Sequence, residues 1–299
     1  MRRPILIAGP TASGKSGLAL KLAKAHDGVI INADSQQIFR DWQVLTARPS
    51  ETEMAQALHR LYGHVALDAT YSTGHWLREV VVELERSREA GKRPIITGGT
   101  GLYFKALTEG LAPIPPTPPQ IRAAGEALLS EISLTGLVTQ LKDRDPETAA
   151  QIDLANPMRV LRAWEVLETT GTGLTAWQAR TDPPVLPLAD CTALVVVPDR
   201  EALYANCEAR FDQMLENGAL EEAKRIKAMA LPDASPGLKA LGAPELFAHL
   251  DGEISLKEAA TRAKAATRRY AKRQLTWARN QMSNWPRIDP SATLDLNIV

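Results

Sequence analysis

Two cysteines, Cys191 and Cys207, are all that the 299 residues contain. Neither lies in a C-x-x-C pair or near a histidine, which argues against a zinc site or a disulfide framework and suits a reducing cytoplasm. Aromatic residues make up only 5% of the chain. No apolar run approaches the roughly 20 residues of a membrane span, and Arg2–Ala8 is too short, and too soon followed by Gly-Pro, for a signal peptide. Thirty-five basic residues balance thirty-five acidic ones, so net charge suggests no polyanionic partner; only local clustering could. With 44% apolar and 23% charged residues, the composition is that of an ordinary soluble globular protein of one to two domains.

One local pattern is strong. Gly9-Pro10-Thr11-Ala12-Ser13-Gly14-Lys15-Ser16 is a complete G-x-x-x-x-G-K-[ST] loop. It follows the apolar run Pro4–Ala8 and precedes Leu18, Leu22 and Ala25 at helical spacing, the strand–loop–helix context of a phosphate loop. Gly9 and Gly14 let the backbone wrap a phosphate, the helix start and Lys15 supply positive charge, and Ser16 can ligate Mg²⁺.

Further strands are predicted at Val29–Ala33, Pro94–Thr97 and Ala193–Pro198, and helices at His75–Ala90, Glu201–Asn217 and Ser255–Met282. This alternation predicts an α/β fold: a parallel sheet core with helices on both faces. Proline clusters at 113–120 and 182–187 read as stiff connectors. Between them only short helical runs are seen. The expected organisation is a catalytic core of residues 1–118 and 188–299 with a helical insertion domain at 119–187.

In an open parallel sheet, ligands sit beyond the carboxyl ends of the strands. Asp34, after the second strand, is placed there as a general base or Mg²⁺ contact; an N-cap is the plainer reading. Gly98-Gly99-Thr100-Gly101 follows the third strand and suggests close backbone approach to a ligand, or a tight turn. Arg210 shares a helical side with Leu203, Cys207, Phe211 and Met214. Pointing inward, it needs an anion, from the protein or from a ligand. The last helix carries Arg262, Lys264, Arg268, Arg269, Lys272, Arg273 and Arg279 without an intervening acid, a solvated face or a phosphate-backbone surface. Arg159 and Arg162 could extend it. Most of the six tryptophans read as core.

Together several motifs resemble one family, the tRNA dimethylallyltransferases (tRNA isopentenyltransferases) of bacterial type. They are the phosphate loop, Asp34-Ser-Gln-Gln37, Thr46-Ala-Arg-Pro49, Gly98-Gly-Thr-Gly-Leu-Tyr103, Asn156-Pro-Met-Arg159, Arg210-Phe-Asp-Gln-Met-Leu215 and Thr267-Arg-Arg-Tyr-Ala-Lys-Arg-Gln-Leu-Thr-Trp277.

The resemblance implies a P-loop NTPase-like core that holds a diphosphate instead of a nucleotide. The reaction implied is transfer of dimethylallyl from dimethylallyl diphosphate to N6 of adenosine 37, the base 3′-adjacent to the anticodon, in tRNAs reading codons that begin with U. By the same resemblance Asp34 accepts the N6 proton, Thr11 and Arg210 contact the diphosphate, and Gly9 to Ser16 cradle it with Mg²⁺ on Ser16. The tRNA anticodon stem-loop would meet Asp34, Ser35, Gln36, Gln37, Thr100, Arg122, Met158, Arg159, Val160, Leu161, Arg162, Arg268, Arg269, Lys272 and Arg273. A cytoplasmic monomer without membrane contact is implied. Phe39, Leu45 and Ala243 depart from the family pattern. Alternatives are a small-molecule kinase of shikimate-kinase type and transfer of the same group to free adenine nucleotide.

Overall fold

The computed structural model describes residues 2–290. Six parallel strands form one sheet in the order β3-β2-β4-β1-β5-β6. They are β1 (Ile5–Ala8), β2 (Gly28–Asn32), β3 (Leu58–Arg60), β4 (Arg93–Gly98), β5 (Thr192–Val196) and β6 (Arg287–Ile288). The three apolar runs seen in the sequence become β2, β4 and β5. The edge strands β3 and β6 are too short and too polar to show as apolar runs.

The central strand β1 is fully buried, and its alternate residues enter different cores. Leu6 and Ala8 pack with Trp76 and Val80 of α3 (Thr73–Glu89) and Phe104 of α4 (Gly101–Glu109). Ile5 and Ile7 pack with Ala19 and Leu22 of α1 (Lys15–His26). Period-2 alternation between two apolar layers explains why the strand is continuously apolar. Each buried isoleucine contributes roughly 1.5–3 kcal/mol.

A third cluster lies under the loop that follows β2. Ile38, Phe39, Trp42 and Leu45 pack against Phe211 of α9 (Arg200–Glu216), Ala223 and Ile226 of α10 (Ala219–Lys227), Leu246 of α11 (Ala243–Leu250) and Ala263 of α12 (Leu256–Gln281). Phe39, Leu45 and Ala243, the departures from the family pattern, are all buried in this cluster. A one-turn helix α2 (Glu51–Met54), closed by a Ser50–Glu53 capping box, ends the loop.

The described chain divides into two compact units, one of residues 1–108 with 185–299 and one of residues 109–184. The smaller unit is helical: α5 (Pro119–Arg144), α6 (Pro146–Gln151), α7 (Pro157–Thr170) and α8 (Leu174–Gln178). Where the sequence suggests only short helical runs, α5 spans 26 residues, broken by Ser133 at φ 63°. Its core is built on Leu137, Leu141, Val160, Leu161, Trp164 and Val166. Asn156 caps α7 by accepting from the backbone N–H groups of Met158 and Arg159, and Pro157 occupies the first turn. Four of the six tryptophans, Trp42, Trp76, Trp164 and Trp285, are buried.

Candidate active site

The loop Gly9–Ser16 joins β1 to α1. Gly14 sits at φ 84° as the cap of α1, a conformation that favours glycine. Ala12 also lies at positive φ. Gly9 has no room for a side chain, because a Cβ would come within 2.9 Å of Ser13 Oγ and the Val196 carbonyl oxygen. Ser13 Oγ is buried and has no hydrogen-bond partner among the described residues.

Lys15 is buried, and its Nζ donates to the Pro10 carbonyl at 3.1 Å. Burial lowers its pKa from 10.5 to about 8; Asp34 opposes that shift and Arg210 adds to it. Burial likewise lowers the Arg210 pKa, with Asp34 the leading opposing charge. Arg210 also feels the Glu53 carboxylate, and both cations are held out of water near Asp34. Neither forms an ion pair with it among the described residues.

Arg210 lines two cavities. The larger, about 520 Å³, is bounded by Ser16, Leu20, Gln43, Arg48, Glu53, Tyr62, Thr97 and Met214 among others. The smaller, about 50 Å³, is bounded by Thr11, Lys15, Asp34, Leu45, Cys207, Phe211, Thr267 and Tyr270. Ser16, Ala47, Arg210 and Met214 line both. The phosphate loop and Arg210 therefore stand where the two chambers meet.

Asp34 follows β2 and is 7% exposed. Its backbone is clamped by Asn32, whose Oδ1 accepts from Asp34 N–H at 2.9 Å and whose Nδ2 donates to the Asp34 carbonyl at 3.0 Å. Asp34 Oδ1 accepts from Gln36 N–H at 2.9 Å. No described helix begins between Asp34 and Glu51, so the N-cap reading does not hold; Oδ1 closes a turn instead, and Asp34 lines the smaller cavity. Thr100 Oγ1 accepts from Ser35 N–H at 2.8 Å, tying the loop after Asp34 to the loop after β4.

The loop after Asp34 is cinched from three sides. Gln37 Nε2 donates to the Thr46 and Ala47 carbonyls, and Gln36 Oε1 accepts from Leu241 N–H. Arg48 donates to the carbonyls of Phe39, Arg40 and Trp42. Glu222, 1% exposed, accepts from the N–H groups of Gln43, Val44 and Leu45 at 2.7 to 3.1 Å. Nothing in the sequence near Glu222 marks it for this, since its partners lie some 177 to 179 positions away.

The glycine cluster after β4 has close protein neighbours. A Cβ on Gly98 would overlap the Ala33 backbone. One on Gly99 would overlap the Gln274 amide, and one on Gly101 the Trp277 indole. The glycines admit the neighbouring strand and α12.

Two residues expected to meet RNA, Val160 and Leu161, are placed otherwise. Val160 and Leu161 are buried at 0% and 4% exposure; α7 turns them into its own core, so their side chains are withdrawn from any surface contact. Arg122 and Arg162 both lie 3.5 Å from the buried Glu165, and Arg162 also donates to Thr117 Oγ1. Met158, 68% exposed, and Arg159 remain outside. On α12, Arg262, Lys264 and Arg268 pair with Glu258, Asp212 and Glu208. Acids of α9 thus answer two of the seven basic residues, and Glu258 of α12 itself answers a third. Arg269, Lys272 and Arg273 are exposed, with Arg273 over the Tyr270 ring.

No group of three or more His, Cys, Asp or Glu side chains able to hold a metal occurs among the described residues. No described helix is long and apolar enough to cross a membrane.

Residues 37–281 match the IPP transferase family. The chain is 56% identical to a tRNA dimethylallyltransferase of Cereibacter sphaeroides, over 96% of this chain and 88% of that protein. It is 52% identical to one of a Ruegeria species, over 97% and 96%. The full-length tRNA isopentenylpyrophosphate transferase of Bacillus halodurans superposes with a TM-score of 0.69 at 31% identity, covering 100% of this chain and 93% of that one. A eukaryotic dimethylallyltransferase acting on tRNA superposes at 0.82 with 25% identity, covering 99% and 75%. This chain belongs to the IPP transferase family.

Proposed function

We propose that the protein transfers the dimethylallyl group of dimethylallyl diphosphate to N6 of the adenosine 3′-adjacent to the anticodon of tRNA, in the cytoplasm. The observation that carries this reading is the pair of desolvated cations, Lys15 and Arg210, at the junction of two cavities with Asp34 facing the smaller one. A diphosphate at that junction would supply the anion that both cations lack, with its allyl carbon directed toward the smaller chamber. The flipped adenine would enter beside Asp34, leaving its stack at a cost of a few kcal/mol.

In the reaction the C1–O bond of the donor breaks and its electron pair leaves with the diphosphate. The N6 lone pair bonds to C1, and Asp34 takes the N6 proton. Charge builds on the leaving group, so Lys15, Arg210, Thr11 and the loop amides act where stabilisation lowers the barrier.

Mg²⁺ fits the residues present. It commonly takes few protein ligands and completes its shell with phosphate oxygens and water. Ser16, exposed where the cavities join, would hold it together with the diphosphate. When bound, the ion supplies further neutralisation of the leaving group. RNA would meet the loop at Ser35–Gln37, Thr100, the exposed Met158 and Arg159, and the unpaired basic residues of α12.

The deciding experiment offers labelled dimethylallyl diphosphate and Mg²⁺ to the protein with an anticodon stem-loop RNA, and separately with AMP and ATP. Label in the RNA alone is expected. Label in AMP or ATP would move the reading to free nucleotides, and phosphoryl transfer from ATP without prenylation would make the protein a kinase.

A further inference from the structure

The motif Ala271-Lys-Arg-Gln-Leu-Thr-Trp277 lies on α12, and its glutamine makes two contacts to two different loops of the site. Gln274 Oε1 accepts from the Thr11 N–H at 2.8 Å, and Gln274 Nε2 donates to the Gly99 carbonyl at 3.0 Å. One side-chain amide therefore spans the phosphate loop and the loop after β4. On the phosphate-loop side it holds Thr11, which lines the smaller cavity. On the other it holds Gly99, whose missing Cβ would stand 3.1 Å from Asp34 Oδ2. The Thr11 N–H is consequently committed to α12 and is not one of the amides available to a phosphate. Flanking residues fix the helix in place: Ala271 and Leu275 pack with Leu203 and Cys207 of α9 and with Ala12 of the loop itself.

We propose that Gln274 is a positioning residue for prenyl transfer. It sets the spacing between the loop that holds the leaving group and the loop that carries the base. The inference rests on the reaction proposed above. Its physical content is that in-line displacement depends on the separation and alignment of C1 and N6, where an error of about 1 Å can cost about a hundredfold in rate. Deleting a tie remote from the bonds being made should therefore slow chemistry without weakening RNA binding.

The test compares wild-type protein with Gln274→Met, which keeps length and packing but removes both hydrogen bonds. Wild-type transfer to stem-loop RNA is the control for the reaction itself; its absence would remove the proposed function, not merely Gln274. With enzyme in excess and both substrates saturating, the Gln274→Met single-turnover rate should fall about a hundredfold. Its affinity for RNA should stay near wild type, and a fall in thermal midpoint from the unpaired Thr11 N–H and Gly99 carbonyl is read separately from the rate. A misaligned allyl fragment is also open to water, whose oxygen bonds to C1 and releases a proton. The ratio of dimethylallyl alcohol to prenylated RNA should therefore rise, a readout that general destabilisation does not move.

Gln274→Glu keeps the shape and the acceptor for the Thr11 N–H but replaces the donor to the Gly99 carbonyl with an oxygen, and should reproduce the rate loss and the altered ratio. It also decides the matter if Gln274→Met does not fold. An unchanged rate and product ratio in a folded variant, or a loss wholly recovered by raising donor or RNA concentration, would overturn the assignment.

Discussion

Lys15 and Arg210 line one cavity, where burial lowers both pKa values and the Arg210 charge lowers that of Lys15 further. An empty site thus carries an electrostatic cost that an anion would remove. The sign of the pH dependence follows. Lys15 titrates near 8 in the fold against 10.5 in the unfolded chain. Between those values the unfolded state binds more protons, so stability contributed through Lys15 rises with pH across that window. Below it the penalty is fully present. The rise should be missing from Lys15→Met in urea unfolding curves measured from about pH 7 to pH 10.

Anion binding reverses the bias, because it favours the charged lysine. At about pH 8.5, where the free Lys15 is largely neutral, inorganic diphosphate should bind with proton uptake. Calorimetry in buffers of different ionisation enthalpy reads that proton directly. Equal apparent enthalpies in all buffers would sink this account of Lys15.

The turn contact of Asp34 Oδ1 and the proton transfer proposed for its carboxylate are separable. Asparagine can still accept the Gln36 N–H through its Oδ1, so Asp34→Asn should fold and bind RNA within about twofold of wild type. It cannot take a proton from N6. Single-turnover transfer should fall by roughly a hundredfold to ten-thousandfold, the usual range for a lost general base. Near-wild-type turnover would assign the proton to another acceptor.

What was legible in the sequence was what is local. The phosphate loop announces itself by spacing within eight residues, Asp34 by following a strand, and Arg210 by sharing a side with Phe211 and Met214. What was not legible depends on distant chain meeting in space. Gln274 acts on residues 263 and 175 positions away, and Glu222 on a loop some 178 away. The glycines at 98, 99 and 101 do signal close approach, but a glycine does not say what approaches; here the Ala33 backbone, Gln274 and Trp277 do. The motif around 158–162 was read as one contact surface, whereas a helix necessarily sends Val160 and Leu161 inward when Met158 and Arg159 face out. The edge strands β3 and β6 were invisible because three and two residues leave no periodicity to detect.

The basic run on α12 divides into answered and unanswered charges, and this division is measurable. Arg268 already pairs with Glu208, while Arg269 and Lys272 are exposed and make no ion pair among the described residues. Alanine at 269 or 272 should weaken stem-loop binding more than alanine at 268. Each lost phosphate contact should also reduce the slope of log affinity against log salt by roughly 0.7 to 0.9. Identical losses and slopes at all three positions would mean that the Glu208 pair does not withhold Arg268 from RNA.

Glu222 offers the sharpest contrast between position and charge. Its carboxylate gathers three consecutive backbone N–H groups of Gln43, Val44 and Leu45, and the same residues border the two cavities. Removing the acceptor leaves buried donors unpaired, each costing about 1–3 kcal/mol. Glu222→Ala should therefore lose on the order of 3 kcal/mol of stability even if the loop recovers some water. Glu222→Gln retains one acceptor oxygen and should lose less. Because Gln43, Val44 and Leu45 wall the cavities in which the donor is proposed to lie and none of them is a reacting group, the glutamine variant should raise the KM for dimethylallyl diphosphate while its saturated single-turnover rate stays close to wild type. A loss of saturated rate with KM unchanged would instead place the effect of Glu222 on the chemical step.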